Sequence, residues 1–175
     1  MNFNVSKRFH GRYRGTVKSN VDPMQLGRLL VEVPDVLGDK SCIWAEPATP
    51  LVGTNMGFSY VPDANSGVWV EFQQGDPNYA VWTGGWRGST SDLPAAANRA
   101  APANPPIVVQ TRTQNQMIIS SSPGEGITLQ TAAAENGPRI VITSTSITLA
   151  TGQGATVELT GNTVKINGTS LTVVG

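Results

Sequence analysis

The chain has 175 residues, with twelve basic and twelve acidic side chains, so its zero net charge does not indicate a polyanionic partner. Charged residues make up 14% of the sequence, against about 25% in an ordinary soluble domain, so serine, threonine, asparagine and glutamine must supply solubility. The single cysteine, Cys42, excludes an intrachain disulfide and a zinc site built from cysteines. We expect it to be a small buried residue.

The amino-terminal 28 residues are locally basic. Asp22 is the one acidic residue in this segment. The basic residues are Lys7, Arg8, Arg12, Arg14, Lys18 and Arg28. This pattern predicts a solvated face or an arm on a neighbouring subunit, with nucleic-acid or membrane contact as the alternative. The segment has no apolar stretch typical of a secretory signal. No run in the chain approaches the roughly 18 apolar residues of a membrane helix, so we expect synthesis in the cytoplasm.

Five short strands are predicted in the first half of the chain. They cover Tyr13–Lys18, Gly27–Val33, Cys42–Ala45, Gly67–Phe72 and Tyr79–Gly84. Alternation places Leu29, Val31 and Val33 on one face of the second strand. Turns rich in aspartate and proline separate the strands, and their aspartates are expected to accept hydrogen bonds from the backbone. Five strands without a convincing helix predict a small closed or nearly closed barrel within residues 1–88, preceded by an amino-terminal arm.

The composition changes after the barrel. Trp86 is the last aromatic residue, and residues 89–106 are rich in proline and alanine, which predicts a semi-extended linker. From Ile107 to Gly175 the chain consists mainly of threonine, serine, glycine and β-branched residues. We therefore place a second domain at residues 107–175.

The second domain contains short repeated units with apolar residues at positions i and i+2. Six of them cover Ile127–Thr131, Ile140–Thr143, Ile147–Thr151, Val157–Thr160, Val164–Asn167 and Leu171–Val174, and two weaker ones cover Ile107–Thr111 and Met117–Ser120. Several units are spaced by seven residues. A repeated strand and turn at a fixed period is typical of a β-solenoid.

A seven-residue unit cannot enclose a core by itself, because a monomeric solenoid coil needs around 20 residues. A lone chain would expose an apolar face and unpaired strand edges. Three chains around one axis solve both problems and satisfy cyclic symmetry. The predicted trimer core consists of Ile127, Leu129, Ile140, Ile142, Ile147, Leu149, Val157, Leu159, Val164 and Ile166. The alternative is an ordinary β-sandwich, although its strands are usually spaced more widely and include buried aromatic residues.

No arrangement of residues supports catalysis, a metal or another cofactor. His10 is the only histidine, so a nucleophile has no plausible partner base, and we expect His10 to lie at the surface. The glycine-containing turns lack the lysine of a phosphate-binding loop. We expect a protein that is not an enzyme.

The first half resembles the phage baseplate assembly protein V and central tail-spike family, which is related to the valine-glycine repeat spikes of type VI secretion. The elements that carry the resemblance are, in order, Arg14-Gly-Thr-Val17, Asp22-Pro23, Leu26-Gly27-Arg28-Leu29, Val31-Glu-Val-Pro34, Trp44-Ala45, Pro47-Ala-Thr-Pro50, Gly57-Phe58, Val61-Pro62, Gly67-Val-Trp-Val-Glu-Phe72, Gly75-Asp-Pro-Asn78 and Val81-Trp-Thr-Gly84. The end of the chain, Asn167-Gly-Thr-Ser-Leu-Thr-Val173, is also similar to the end of such spikes.

The resemblance implies an all-β protein, in which an OB-fold barrel precedes an intertwined triple-stranded β-helix built by a homotrimer. It implies a structural spike of a phage tail baseplate, tailocin or related contractile system. The barrel would dock on a hub protein below the tail tube, and the needle would pierce the target cell envelope. Neither the lysozyme domain nor the metal-binding His-X-His tip of some relatives is present in this sequence.

The blunt carboxy-terminal end is expected to take a separate conical tip protein. The residues that this interpretation assigns to the contact are Leu171, Val173, Val174 and Gly175. The main rival hypothesis is an OB-fold module that binds nucleic acid or glycan, with the second domain serving for oligomerisation. Its candidate ligand face comprises Trp44, Trp69, Trp82 and Tyr79 with Arg12, Arg14 and Arg28. The spike interpretation predicts no specific nucleic-acid partner.

Overall fold

The computed structural model describes residues 7–99, 103–131, 137–168 and 170–174, and it divides the chain into one unit that ends at Gly88 and another that begins at Ser89. Both units are built mainly of β-strands, which confirms the predicted all-β class.

The first unit is a closed five-stranded barrel. Its strands are β1 (Tyr13–Ser19), β2 (Leu29–Glu32), β3 (Cys42–Pro47), β6 (Gly67–Phe72) and β7 (Ala80–Gly85), with β4 (Val52–Gly53) and β5 (Met56–Gly57) forming a separate two-stranded hairpin between β3 and β6. Around the barrel the order is β1-β2-β3-β7-β6. The pairing of β3 with β7 is parallel, and the other four pairings are antiparallel. This closure confirms the predicted barrel.

Alternating residues from these strands build the barrel core. Val17, Leu29, Val31, Val33, Ala45, Val68, Val70, Phe72, Ala80 and Trp82 are all buried. Full burial of one valine or leucine side chain contributes about 1.5–3 kcal/mol. Trp82 is the largest fully buried side chain, and its indole N–H donates to the carbonyl oxygen of Gly27 at 3.2 Å. The one-sided pattern of the second predicted strand, with Leu29, Val31 and Val33 on one face, is thereby confirmed.

The model corrects two expectations for the barrel. Cys42 is exposed rather than buried, because alternation along β3 turns the buried Ala45 inward and leaves Cys42 on the opposite side. A one-turn helix, α1 (Pro34–Leu37), was not predicted from the sequence. Proline in its first turn suits a helix start, and Leu37 is buried against the core. A four-residue helix makes only about one turn, so its sequence shows no helical periodicity.

The described part of the amino-terminal arm lies on its own barrel. The backbone N–H of Phe9 donates to the carbonyl oxygen of Gly75 at 2.9 Å. The Phe9 ring packs against Tyr13 and Phe72, with centroid distances of 6.3 and 6.4 Å. His10 is exposed, as expected. Residues 7–12 therefore pack on the barrel of their own chain.

The second unit is a single antiparallel sheet of eight strands in the described residues. The strands are β8 (Ile107–Gln110), β9 (Gln116–Ile119), β10 (Ile127–Gln130), β11 (Arg139–Ile142), β12 (Ser146–Ala150), β13 (Thr156–Thr160), β14 (Thr163–Ile166) and β15 (Leu171–Val174). Each strand pairs with its neighbours in sequence, and all eight predicted units are present. The sheet has no second layer in the described part of this unit, so the β-sandwich alternative is wrong.

The segment before this sheet contains a 3-10 turn (Thr90–Asp92) and a short helix, α2 (Ala95–Arg99), which contacts β8. The sequence predicted only an extended linker here. Three consecutive alanines from Ala95 to Ala97 explain the helix, because alanine has the highest intrinsic helix propensity.

The loop between β1 and β2 is organised by Asp22. Its carboxylate accepts hydrogen bonds from the backbone N–H groups of Met24, Leu26 and Arg28 at 3.0, 2.9 and 3.2 Å. It also pairs with the guanidinium of Arg28 at 2.7 Å. The Arg28 bond first, and then the backbone donors, hold the pKa of Asp22 far below its usual range. Capping of backbone groups by this aspartate is confirmed.

Asp22→Asn is expected to lower the melting temperature of the barrel at pH 7. The folded-state pKa is depressed, so the carboxylate's contribution is present above its unfolded pKa of about 3.9 and is lost as the pH falls through the folded value. Wild type and variant should therefore converge in acid. All four tryptophans lie between Trp44 and Trp86, so tryptophan fluorescence reports thermal unfolding of the barrel. Asp39→Asn, in an exposed turn, is the control, and equal melting of Asp22→Asn and wild type at pH 7 would contradict the assignment.

Candidate trimer interface

One face of the β8–β15 sheet is wholly aliphatic. Strand register aligns its side chains in two rows of eight that run across the sheet. The first row is Ile107, Ile119, Ile127, Ile142, Ile147, Leu159, Val164 and Val173, and the second is Val109, Met117, Leu129, Ile140, Leu149, Val157, Ile166 and Leu171. We call these sixteen residues the apolar ladders. Every antiparallel pairing places an aliphatic residue opposite another one, so no polar group interrupts either ladder.

The apolar ladders are open to solvent in the single chain. Fourteen of the sixteen side chains are exposed, with fractions between 37% and 62%, whereas the barrel core residues are at most 8% exposed. A groove of about 710 Å³ lies on this face and is lined in part by Leu129, Ile140 and Leu149. A contiguous apolar surface of this extent marks an interaction site. The face requires a covering layer that the described part of one chain does not contain.

The opposite face changes character along the sheet. Its central row begins with Val108, Ile118, Thr128 and Val141 and continues with Thr148, Glu158 and Lys165. Glu158 and Lys165 stand directly opposite each other on β13 and β14, an arrangement of opposite charges that stabilises a sheet. The later strands therefore have a polar face opposite the apolar ladders. Three of the first four residues in the row are apolar instead, and the repeat pattern did not reveal them.

The residues predicted to form the trimer core all belong to the apolar ladders, and the ladders contain a few further residues. All ten residues assigned to the trimer core share this face, and the register adds Ile107, Val109, Met117 and Ile119 from the two weaker units. Leu171 and Val173, which were assigned to a tip contact, are the last members of the two ladders. Val174 ends β15, and Gly175 lies outside the described residues. Their role at a tip stays a prediction.

Four of the six basic residues of the amino end pair with carboxylates of the same barrel, whereas Lys7 and Arg14 lie over aromatic rings. Arg8 pairs with Asp76 at 3.8 Å, Arg12 with Glu71 at 2.8 Å, and Arg28 with Asp22. Lys18 pairs with Glu32, whose carboxylate also accepts the backbone N–H of Lys40. The ion pair raises the pKa of Lys18, and Lys18 followed by the Lys40 N–H lowers the pKa of Glu32. A strand of nucleic acid would have to displace these carboxylates.

The aromatic residues of the rival hypothesis do not form an open stacking face. Trp82 is only 1% exposed. The Arg28 guanidinium lies 5.2 Å from the Trp44 ring centroid, and that of Arg14 lies 6.0 Å from Trp69 and 4.9 Å from Trp86. Arginine side chains therefore lie over Trp44 and Trp69, and Tyr79, at 61% exposed, is the one ring of the four on that face that is left open. The geometry disfavours a nucleic-acid or glycan module.

Within the ranges given above, no cluster of three or more histidine, cysteine, aspartate or glutamate side chains has the geometry to hold a metal ion. Over those same ranges, no helix has the length and apolar character required to span a membrane.

Comparison with known families matches both units. A family model described as the type VI secretion system/phage-baseplate injector OB domain covers residues 13–86. A second, described as the phage baseplate V C-terminal trimerisation domain, covers residues 106–172. No curated protein matches the chain. The first match covers the closed barrel and the second covers the sheet with the apolar ladders.

These two matches account for the two features described above. An injector OB domain agrees with the five-stranded barrel, and a trimerisation domain agrees with a sheet whose apolar ladders lack a covering layer in the described part of one chain. The protein self-associates as a homotrimer and has a structural role of the baseplate type. The chain belongs to the phage baseplate V family, with an injector OB barrel followed by a trimerisation domain.

Proposed function

We propose that three copies of this chain form the central spike of a contractile injection machine, such as a phage tail baseplate or a tailocin. The barrels dock on a hub protein below the tail tube, and the trimerisation domain is the needle that is driven through the target cell envelope. The role is mechanical and not catalytic. The chain is made in the host cytoplasm and assembled into the particle.

The observation that carries this proposal is the uninterrupted aliphatic face. Three sheets whose apolar ladders face a common axis make a dry core without any large side chain. Each ladder side chain gains on the order of 0.5–1 kcal/mol when its remaining exposed area is covered. Three copies of sixteen side chains give a core that extends along the whole needle. We infer that all sixteen ladder residues form the trimer core.

The same arrangement suits a needle that must withstand a force applied along its axis. Eight strands spaced by about 4.7 Å make a wall roughly 35–40 Å tall. Hydrogen bonds between strands and the stacked aliphatic side chains would both run along that height. An axial load would then compress close-packed atoms, and packed protein interiors have low compressibility. A long flexible loop would transmit no such load.

The carboxy-terminal end of the needle is proposed to take a separate conical tip protein. Strand β15 is an edge strand, so one side of its backbone has no partner strand in the sheet. Leu171 and Val173 on this strand are 52% and 54% exposed. An apolar end with open strand edges favours a protein cover over bare solvent. Val174 and Gly175 complete the proposed contact.

Ile142→Lys is expected to prevent assembly of the needle. Ile142 lies within the first apolar ladder, so three ammonium groups would meet in one dry layer, and an unpaired buried charge is strongly destabilising, by about 3–5 kcal/mol when a buried partner is lost. Size-exclusion chromatography should show loss of the trimer. Tryptophan fluorescence should show an intact barrel.

The matched control is Thr148→Lys. Thr148 lies on the opposite face, directly across from Glu158, so a lysine there gains an opposite charge as its neighbour. This variant should elute as the trimer, like wild type. A trimeric Ile142→Lys protein, or equal disruption by both substitutions, would contradict the inward orientation of the ladders.

The particle-level role is tested by cryo-electron microscopy of assembled particles. The proposal predicts three copies on the tail axis, barrels toward the tube, and density of a second protein beyond the last strand. A chain found off the axis or absent from the particle would overturn the spike assignment. A needle that ends in bare solvent would overturn the tip-protein part alone.

A further inference from the structure

The exposed apolar side chains of the barrel are concentrated on two loops. Ten large apolar side chains are exposed in the described part of the barrel, and nine of them lie on the loop after β1 or the loop after β3. These nine, which we call the apolar end, are Val21, Met24, Leu26, Leu51, Val52, Met56, Phe58, Tyr60 and Val61. The tenth, Tyr79, precedes β7. Such a concentration marks an interaction surface rather than scattered surface residues.

The apolar end has an ordered backbone. In the β4–β5 hairpin, Val52 pairs with Gly57, and the backbone N–H of Phe58 donates to the carbonyl oxygen of Leu51 at 3.1 Å. A groove of about 310 Å³ lies beside the hairpin and is lined in part by Leu26 and Trp82. The Tyr60 ring stands edge-on to Trp82 with a centroid distance of 5.5 Å. The surface is therefore formed in the single chain.

The apolar end can meet another copy of itself without electrostatic repulsion. Residues 47–62 contain no aspartate, glutamate, lysine, arginine or histidine. The loop after β1 carries Asp22 and Arg28, which pair with each other, and the exposed Asp63 of the loop after β3 follows the last apolar residue, Val61, by two positions. Charged residues are depleted at the centres of protein interfaces because their desolvation is costly. A neutral apolar surface avoids both that cost and the repulsion between like charges.

Strand direction places the apolar end where the chain leaves the barrel. β3 and β7 are parallel, and β1 runs in the same direction as β3, because both are antiparallel to β2. The loops after β1 and β3 therefore lie at the same end as Gly85, where β7 stops. Trp86 secures this exit, since its backbone N–H donates to the carbonyl oxygen of Gly67 at 3.1 Å and its indole N–H donates to that of Gly15 at 3.2 Å.

We propose that the apolar end is a second interface of the homotrimer, at which each barrel packs against the same end of its neighbouring copies. The trimerisation domain ties three barrels together through the segments that follow β7, and each of these segments leaves its barrel from this end. Such tethering gives an effective concentration on the order of millimolar, so even a weak apolar contact forms. The opposite end, with Asp35, Asp39 and Lys40 in its loops, stays available to other partners. This inference rests on the trimer and not on the hub or on envelope piercing.

Cysteine cross-linking of the full-length protein tests the proposal. In a Cys42→Ser background, Val52→Cys and Phe58→Cys each place a thiol on the apolar end, where the native side chains are 78% and 63% exposed. Because each chain then carries a single thiol, a short bifunctional maleimide should link two of the three chains of each trimer into a covalent dimer, at a yield unchanged by tenfold dilution. Tyr79→Cys in the same background, at a position 61% exposed and at the opposite end of the barrel, is the matched control and should give little product. Cys42 of the unmodified chain, also at the opposite end, should behave like this control.

Native mass measured on the same samples separates the possible failures. A trimer without cross-links at either position overturns this proposal and leaves the trimer standing. Cross-linking that disappears on dilution also overturns it, because the contact then joins separate trimers. Cross-linking only after a hub protein is added would assign the surface to that partner instead. A monomeric sample overturns both this interface and the trimeric spike.

Discussion

The sixteen aliphatic side chains on one face of the β8–β15 sheet have no covering layer in the described part of a single chain, and this constraint governs the rest of the molecule. A sheet one layer thick with such a face is a site for association. Because the sheet contains its own chain's strands in sequence order, each copy brings a complete wall with two edges. Symmetric association of identical walls then covers every apolar face with the same contacts.

The barrel differs from the sheet because its hydrophobic core is closed within a single chain. Its core is closed by five strands around Trp82, and four of the basic residues at its amino end pair with carboxylates of the same barrel. What it leaves exposed is concentrated at the end from which the chain exits. A self-sufficient barrel joined to a sheet that requires partners explains why the two halves differ so strongly in aromatic content. Buried aromatic residues fill a closed single-chain core, whereas stacked aliphatic residues suit a core shared by identical chains.

The repeat pattern predicted the strands of the second unit well, since apolar residues at i and i+2 place both side chains on one face whatever the turns between them do. The pattern did not show whether the weaker units Ile107–Thr111 and Met117–Ser120 belong to the trimer core. Only the strand register shows that their apolar residues extend the same ladders. The apolar outer row at Val108, Ile118 and Val141 was missed for the same reason. In the barrel, the exposure of Cys42 depends on which of the two alternating sets of β3 side chains faces the core. The sequence does not show this, because Ala45 is too small to mark the inward face clearly. The pairing of the basic residues joins positions far apart in sequence, such as Arg12 and Glu71, and no local pattern reveals such pairs.

The central claim is that the apolar ladders are covered by two further copies of the same chain. Native mass spectrometry of the purified wild-type protein tests it most directly. The chain has a mass of 18.4 kDa, so the account predicts one species of about 55 kDa, as expected for a closed cyclic trimer. That species should persist when the protein is diluted to low micromolar concentration. A monodisperse species of one chain mass under the same conditions would contradict the account.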